Sequence, residues 1–110
     1  MNDSDTMLES RRKEERLHAV LAISVFFQET AGQPTIACTY EISSKGTRIT
    51  RIPGINAVDQ YLWIQRLKNR AKYRVVWIGE PGTEQANQVG LNLVDPSAFI
   101  WDDSLRNRLI

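Results

Sequence analysis

Residues 35–52 read TIACTYEISSKGTRITRI, and the fold turns on how this stretch is understood. Ile36, Cys38, Tyr40 and Ile42 alternate with Thr35, Ala37, Thr39 and Glu41, a period of two that predicts a half-buried strand over 35–43. Ser43-Ser44-Lys45-Gly46 then holds the residue types that turns favour, and 47–52 predicts a return strand closed by Pro53-Gly54. On this alternation Cys38 lies on the apolar face beside Tyr40, so it reads as a buried, inert thiol.

Working outward, the same pattern continues in both directions. Leu21, Ile23, Val25 and Phe27 alternate in a run rich in β-branched and aromatic residues, which predicts a strand over about 18–28 before the turn Ala31-Gly32-Gln33-Pro34. Three successive antiparallel strands result. Downstream, 73–78 predicts a strand ending at Gly79, and Val89, Leu91 and Leu93 a last one that Asp95-Pro96 terminates. Residues 57–71 stay open at this point. Ala57, Gln60, Ile64, Leu67 and Ala71 share a helical stripe, while Tyr61-Leu62-Trp63-Ile64 also suits a strand with Lys68-Asn69 as hairpin tip. Phe99, Trp101, Leu105 and Leu109 predict a short amphipathic helix over 97–110.

Composition bounds the function classes. With 110 residues, 42% hydrophobic and 25% charged, the chain supports one globular core and no large enzyme fold. The net charge of +1 argues against bulk nucleic-acid or membrane-surface binding, including through the cluster Arg66, Lys68, Arg70, Lys72 and Arg74. A single cysteine and a single histidine, His18, leave no zinc-site spacing and no internal disulfide. No apolar run is long enough to span a membrane, and the polar N-terminus is unlike a secretion signal, so a cytoplasmic domain is expected. Residues 1–10 read as a disordered tail, 11–100 as the folded domain with its arm, and 101–110 as a helical C-terminal segment. His18 at a strand start reads as a packing residue, and Asp102-Asp103 before Arg106 and Arg108 as a solvated face. With no Walker loop or dinucleotide fingerprint either, no enzyme and no cofactor is expected.

Two small motifs remain. In Arg12-x-x-x-Arg16 the side chains share a side whether the segment is helical or extended, so two guanidinium forks can grip phosphate oxygens or a guanine edge. In Glu41-x-Ser43-x-x-Gly46 a carboxylate can accept from guanine N1–H and N2–H, the serine hydroxyl can donate or accept, and glycine allows a turn with positive φ. Taken singly, the first also reads as a solvated basic face and the second as an ordinary β-turn.

In this order, RKEER at 12–16 and EISSKG at 41–46 resemble the PilZ domain family, bacterial receptor modules for cyclic di-GMP. The closing segments 74–79 and 89–96 are also similar to the way such domains end. The resemblance implies a mainly β fold, a six-stranded antiparallel β-barrel with a flexible N-terminal arm and a short C-terminal helix. It decides residues 57–71 in favour of strands, giving 18–28, 35–43, 47–52, 58–67, 72–79 and 88–94. It further implies a non-enzymatic receptor or adaptor that binds cyclic di-GMP through Arg12, Arg16, Glu41, Ser43 and Gly46. Ligand-induced ordering of the arm would then signal to a downstream protein partner. The family's Asp or Asn is Glu41 here, one methylene longer, with its charge and acceptor oxygens kept. An alternative is a PilZ-like protein-interaction module that does not bind nucleotide.

Overall fold

The computed structural model describes residues 16–30, 32–101 and 105. Seven strands follow in chain order: β1 (Arg16–His18), β2 (Ala22–Phe26), β3 (Thr35–Ser43), β4 (Gly46–Thr50), β5 (Tyr61–Arg66), β6 (Asn69–Ile78) and β7 (Gln88–Leu93). Six of them close a ring of antiparallel pairs, β3-β2-β5-β6-β7-β4, which the β3–β4 hairpin completes. The ring leaves none of these six strands with an open edge. The short β1 is the extra strand, paired with the end of β3 that lies beyond β2. Among the described residues no helix is long and apolar enough to cross a membrane.

The stretch expected as one strand over 18–28 is therefore two. The break falls at 19–21, where the Thr39 hydroxyl accepts from the Leu21 N–H at 2.9 Å and donates to the Ala19 carbonyl. That buried hydroxyl satisfies backbone groups the ladder drops, and Val20 swings out to 77% exposure. Residues 57–71 resolve as β5 and the start of β6, paired from Tyr61↔Arg74 to Arg66↔Asn69. The two-residue turn is Leu67-Lys68 rather than Lys68-Asn69, and Leu67, not the asparagine, takes the positive φ of 56°. A left-handed conformation costs a branched residue about 1–2 kcal/mol, partly offset in glycine by about 0.5–1 kcal/mol of extra chain entropy. Leu67 is 66% exposed, so little packing is lost on its removal. Leu67→Gly should raise the melting temperature by a few degrees, since ~1 kcal/mol moves a domain of this size by about 4–8 °C. An unchanged or lower value in a thermal melt would show the turn to be unstrained.

The reading of 35–43 needs its main correction in β3. Ala37 and Thr39 point inward, whereas Ile36, Cys38 and Tyr40 face outward, so Cys38 is exposed and not buried. A β-bulge causes the difference. The register passes from Thr39↔Ile49 to Glu41↔Arg48, which leaves Tyr40 as the extra residue and returns Ile42 to the core. An alternation carried through the bulge inverts every side chain before it. His18 is likewise exposed rather than packed, lying opposite Glu41 at the rim.

Inside the ring Ile23, Val25, Ile42, Ile49, Leu62, Ile64, Val75 and Val89 are buried, each contributing about 1.5–3 kcal/mol. Tyr73 joins them, and burial pushes its phenol above the ordinary range. Ile100 and Trp101, both 2% exposed, enter the core from beyond β7. The helix expected from 97 does not begin there. After β7 the Asp95 carboxylate accepts from the Ser97 N–H at 3.0 Å and the Ser97 hydroxyl at 2.8 Å. These bonds hold the Asp95 carboxyl below its usual value, and 98–101 then run irregularly. The tail at 1–10, the arm to residue 15 and, apart from Trp101 and Leu105, the segment 101–110 lie outside the described residues. Asp102, Asp103, Arg106 and Arg108 are among them.

Candidate ligand-binding groove

The β3–β4 hairpin and the bulge before it set the site. Ser43 organises the turn: its hydroxyl accepts from the N–H of Lys45 at 3.2 Å and of Gly46 at 3.0 Å. This is the turn role its residue type suggests. Gly46 has no positive φ, contrary to the expectation of a left-handed turn residue. A different constraint selects it. A Cβ at Gly46 would fall on the carbonyl oxygen of Leu91 in β7, so glycine is needed where β4 meets β7 to close the barrel.

Past the Tyr40 bulge, Glu41 projects outward and one continuous row crosses the sheet: His18, Glu41, Arg48, Gly90 and Trp77 are successive cross-strand partners. A second bulge, between Val75 and Trp77, brings the tryptophan into this row. At Gly90 a Cβ would collide with the five-membered ring of Trp77, so the half-buried indole lies directly against the glycine backbone. Glu41 accepts from two guanidinium groups, Arg16 Nη1 at 3.5 Å and Arg48 Nη2 at 3.4 Å. The Arg16 side chain is 64% exposed, so that ion pair is worth no more than about 1 kcal/mol and yields readily to a competing anion.

These elements surround a groove of about 580 Å³ on the outer barrel wall, within the range of small-molecule sites. Arg16, Glu41, Ser43 and Gly46 all line it. Arg12 lies outside the described residues. Arg48, Trp77, Glu80 and Asn92 also line the groove and were not singled out from sequence. Arg48 stands two residues after Gly46 on the same strand face, the one sequence signal that could have drawn notice to it. Trp77 could not be placed, because only the bulge turns it outward. Among the described residues two charged groups of each sign face the groove, Arg16 and Arg48 against Glu41 and Glu80.

Four of the five cations of 66–74 are used elsewhere. Arg70 lies 3.8 Å from the Phe26 ring centroid and donates to the Gln28 carbonyl at 2.9 Å. Lys72 sits over Tyr61 at 4.3 Å, Arg66 donates to the Ala22 carbonyl at 3.0 Å, and Arg74 pairs with Asp59 at 3.2 Å. They cover aromatic rings and tie β2 to the β5–β6 hairpin. Among the described residues no cluster of metal-ligating side chains is present.

No family model matches the chain. No curated protein matches it either.

Proposed function

We propose that the groove binds cyclic di-GMP and that the protein is a non-enzymatic receptor or adaptor of the PilZ type. One observation carries the reading. Arg16, Glu41, Ser43 and Gly46, picked from two motifs more than twenty residues apart, line a single groove. Its chemistry suits the ligand: guanidinium forks for phosphate, a carboxylate between those forks, and an indole on which a base can stack. Glu41 and Glu80 beside the two described arginines suit a phosphodiester, with one negative charge per phosphate, better than a triphosphate. Arg12 would reach the same ligand from the preceding segment, and binding would hold residues 10–17 against the wall as the signal to a partner protein.

Titration calorimetry with cyclic di-GMP, with GTP and a short DNA as controls, tests this. Saturable binding of cyclic di-GMP alone is expected. Heat only with DNA would move the activity to the β5–β6 face. Silence with all three would favour the alternative, an interaction module that does not bind nucleotide. One feature already speaks for that second reading: Ile36 and Tyr40 on the outer face of β3 are 65% and 37% exposed, and Val20, in the break between β1 and β2, is 77% exposed.

A further inference from the structure

We infer that Arg48, which neither motif contains, grips phosphate in this groove, and that Glu41 is the positioning residue that aims Arg48 and Arg16. The inference rests on the cyclic di-GMP reading and assigns roles within that site.

Three observations support it. First, Glu41 gives one carboxylate oxygen to each guanidinium, Oε1 to Arg16 and Oε2 to Arg48. A carboxylate committed in this way sets two forks side by side. Second, among the described residues the Arg48 guanidinium has that one contact. Its side chain is 26% exposed, and its Nε–H is buried with no hydrogen-bond partner. Of the five N–H donors in its rigid fork, the Nε–H is closed off and one on Nη2 goes to Glu41, so Arg48 keeps the other Nη–H groups for an acceptor with several oxygens. Third, the register accounts for glutamate at this position. Arg48 is directly opposite Glu41, but the residue opposite on β1 is His18, and Arg16 faces Ser43. Arg16 is thus a diagonal neighbour, at a separation of about 7–8 Å that only long side chains bridge. Aspartate would reach Arg48 and lose Arg16. The extra methylene is then what allows one carboxylate to serve both arginines.

Glu41 also keeps the groove from becoming strongly cationic. A phosphodiester can replace one carboxylate contact on each arginine, whereas a triphosphate brings its charge against Glu41 and Glu80.

The test is calorimetry with cyclic di-GMP and GTP on the full chain and on Arg48→Ala, Arg48→Lys and Glu41→Gln, each first shown to melt cooperatively. Arg48→Ala should weaken cyclic di-GMP binding about tenfold or more, the loss expected for a charged hydrogen-bonding group. Lysine should restore little of it, because a point charge lacks the fork. Glu41→Gln keeps an acceptor for only one of the two guanidiniums, so it should weaken cyclic di-GMP binding about threefold, well short of Arg48→Ala, and shift the preference towards GTP by about tenfold, as one negative charge leaves the wall. If the unmodified protein binds but Arg48→Ala binds equally well, the role given to Arg48 is wrong while the receptor reading stands. If Glu41→Gln binds both nucleotides as the unmodified protein does, Glu41 aims neither arginine; if it loses cyclic di-GMP as strongly as Arg48→Ala, Glu41 meets the ligand itself; either result removes it as a positioning residue. If the unmodified protein does not bind, the receptor reading fails and this inference with it.

Discussion

Alanine at Gly46 destabilises the barrel by about 3 kcal/mol or more, the upper end of what overpacking costs. The added methyl meets the Leu91 carbonyl oxygen and crowds the Asn92 side chain. Asn92 can turn aside, but the Leu91 carbonyl cannot, because it is backbone in the neighbouring strand. β4 and β7 must part, and their five paired residues from Gly46↔Asn92 to Thr50↔Gln88 loosen from one end. The Leu93 N–H bond to the Lys45 carbonyl, 2.7 Å, lies beside the clash and is disturbed with them. A fall in melting temperature of more than about 10 °C is expected, at about 4–8 °C per kcal/mol for a domain of this size. An alanine variant as stable as the original protein would mean that β4 and β7 do not approach this closely.

The second large effect is on binding. Arg12→Ala together with Arg16→Ala weakens cyclic di-GMP about a hundredfold or more, since each charged hydrogen-bonding group contributes roughly 1.5–3 kcal/mol and tenfold is about 1.4 kcal/mol. Arg16 stands at the groove with its guanidinium held by one weak ion pair. Stability should hardly move, because the Arg16 side chain is 64% exposed and surface pairs contribute at most about 1 kcal/mol. Full affinity in the double variant would remove the arginine motif from the site.

Much of this was legible in the sequence because period-two alternation reports the pleat directly. It marked the strands near 35–43, 72–79 and 88–94, and the Ser43–Gly46 turn was visible from its residue types. Bulges were not legible. A bulge inserts one residue without leaving a compositional mark, so Cys38 and Tyr40 were assigned to the wrong face and Trp77 went unnoticed. The interruption at 19–21 was hidden for a related reason: it depends on the Thr39 hydroxyl, a residue eighteen or more positions away. Trp101 looked amphipathic at helical spacing, yet the core needed its ring, and a Ser97-bonded aspartate turned the chain first. Gly46 was singled out for a positive φ that it does not have, whereas closure against β7 is what requires a glycine there. Its neighbour in space, Leu91, is brought there only by barrel closure.

The receptor reading stands or falls on where the nucleotide touches the protein. An isotope-labelled titration, following backbone amides and the Trp77 indole N–H as cyclic di-GMP is added, answers this residue by residue. Saturable shifts are expected at Glu41, Ser43, Gly46, Arg48 and Gly90, with the Trp77 indole among the largest and residues 10–17 following the same binding curve. Unmoved signals throughout, or shifts confined to the β5–β6 face around Tyr61 and Lys72, would contradict it.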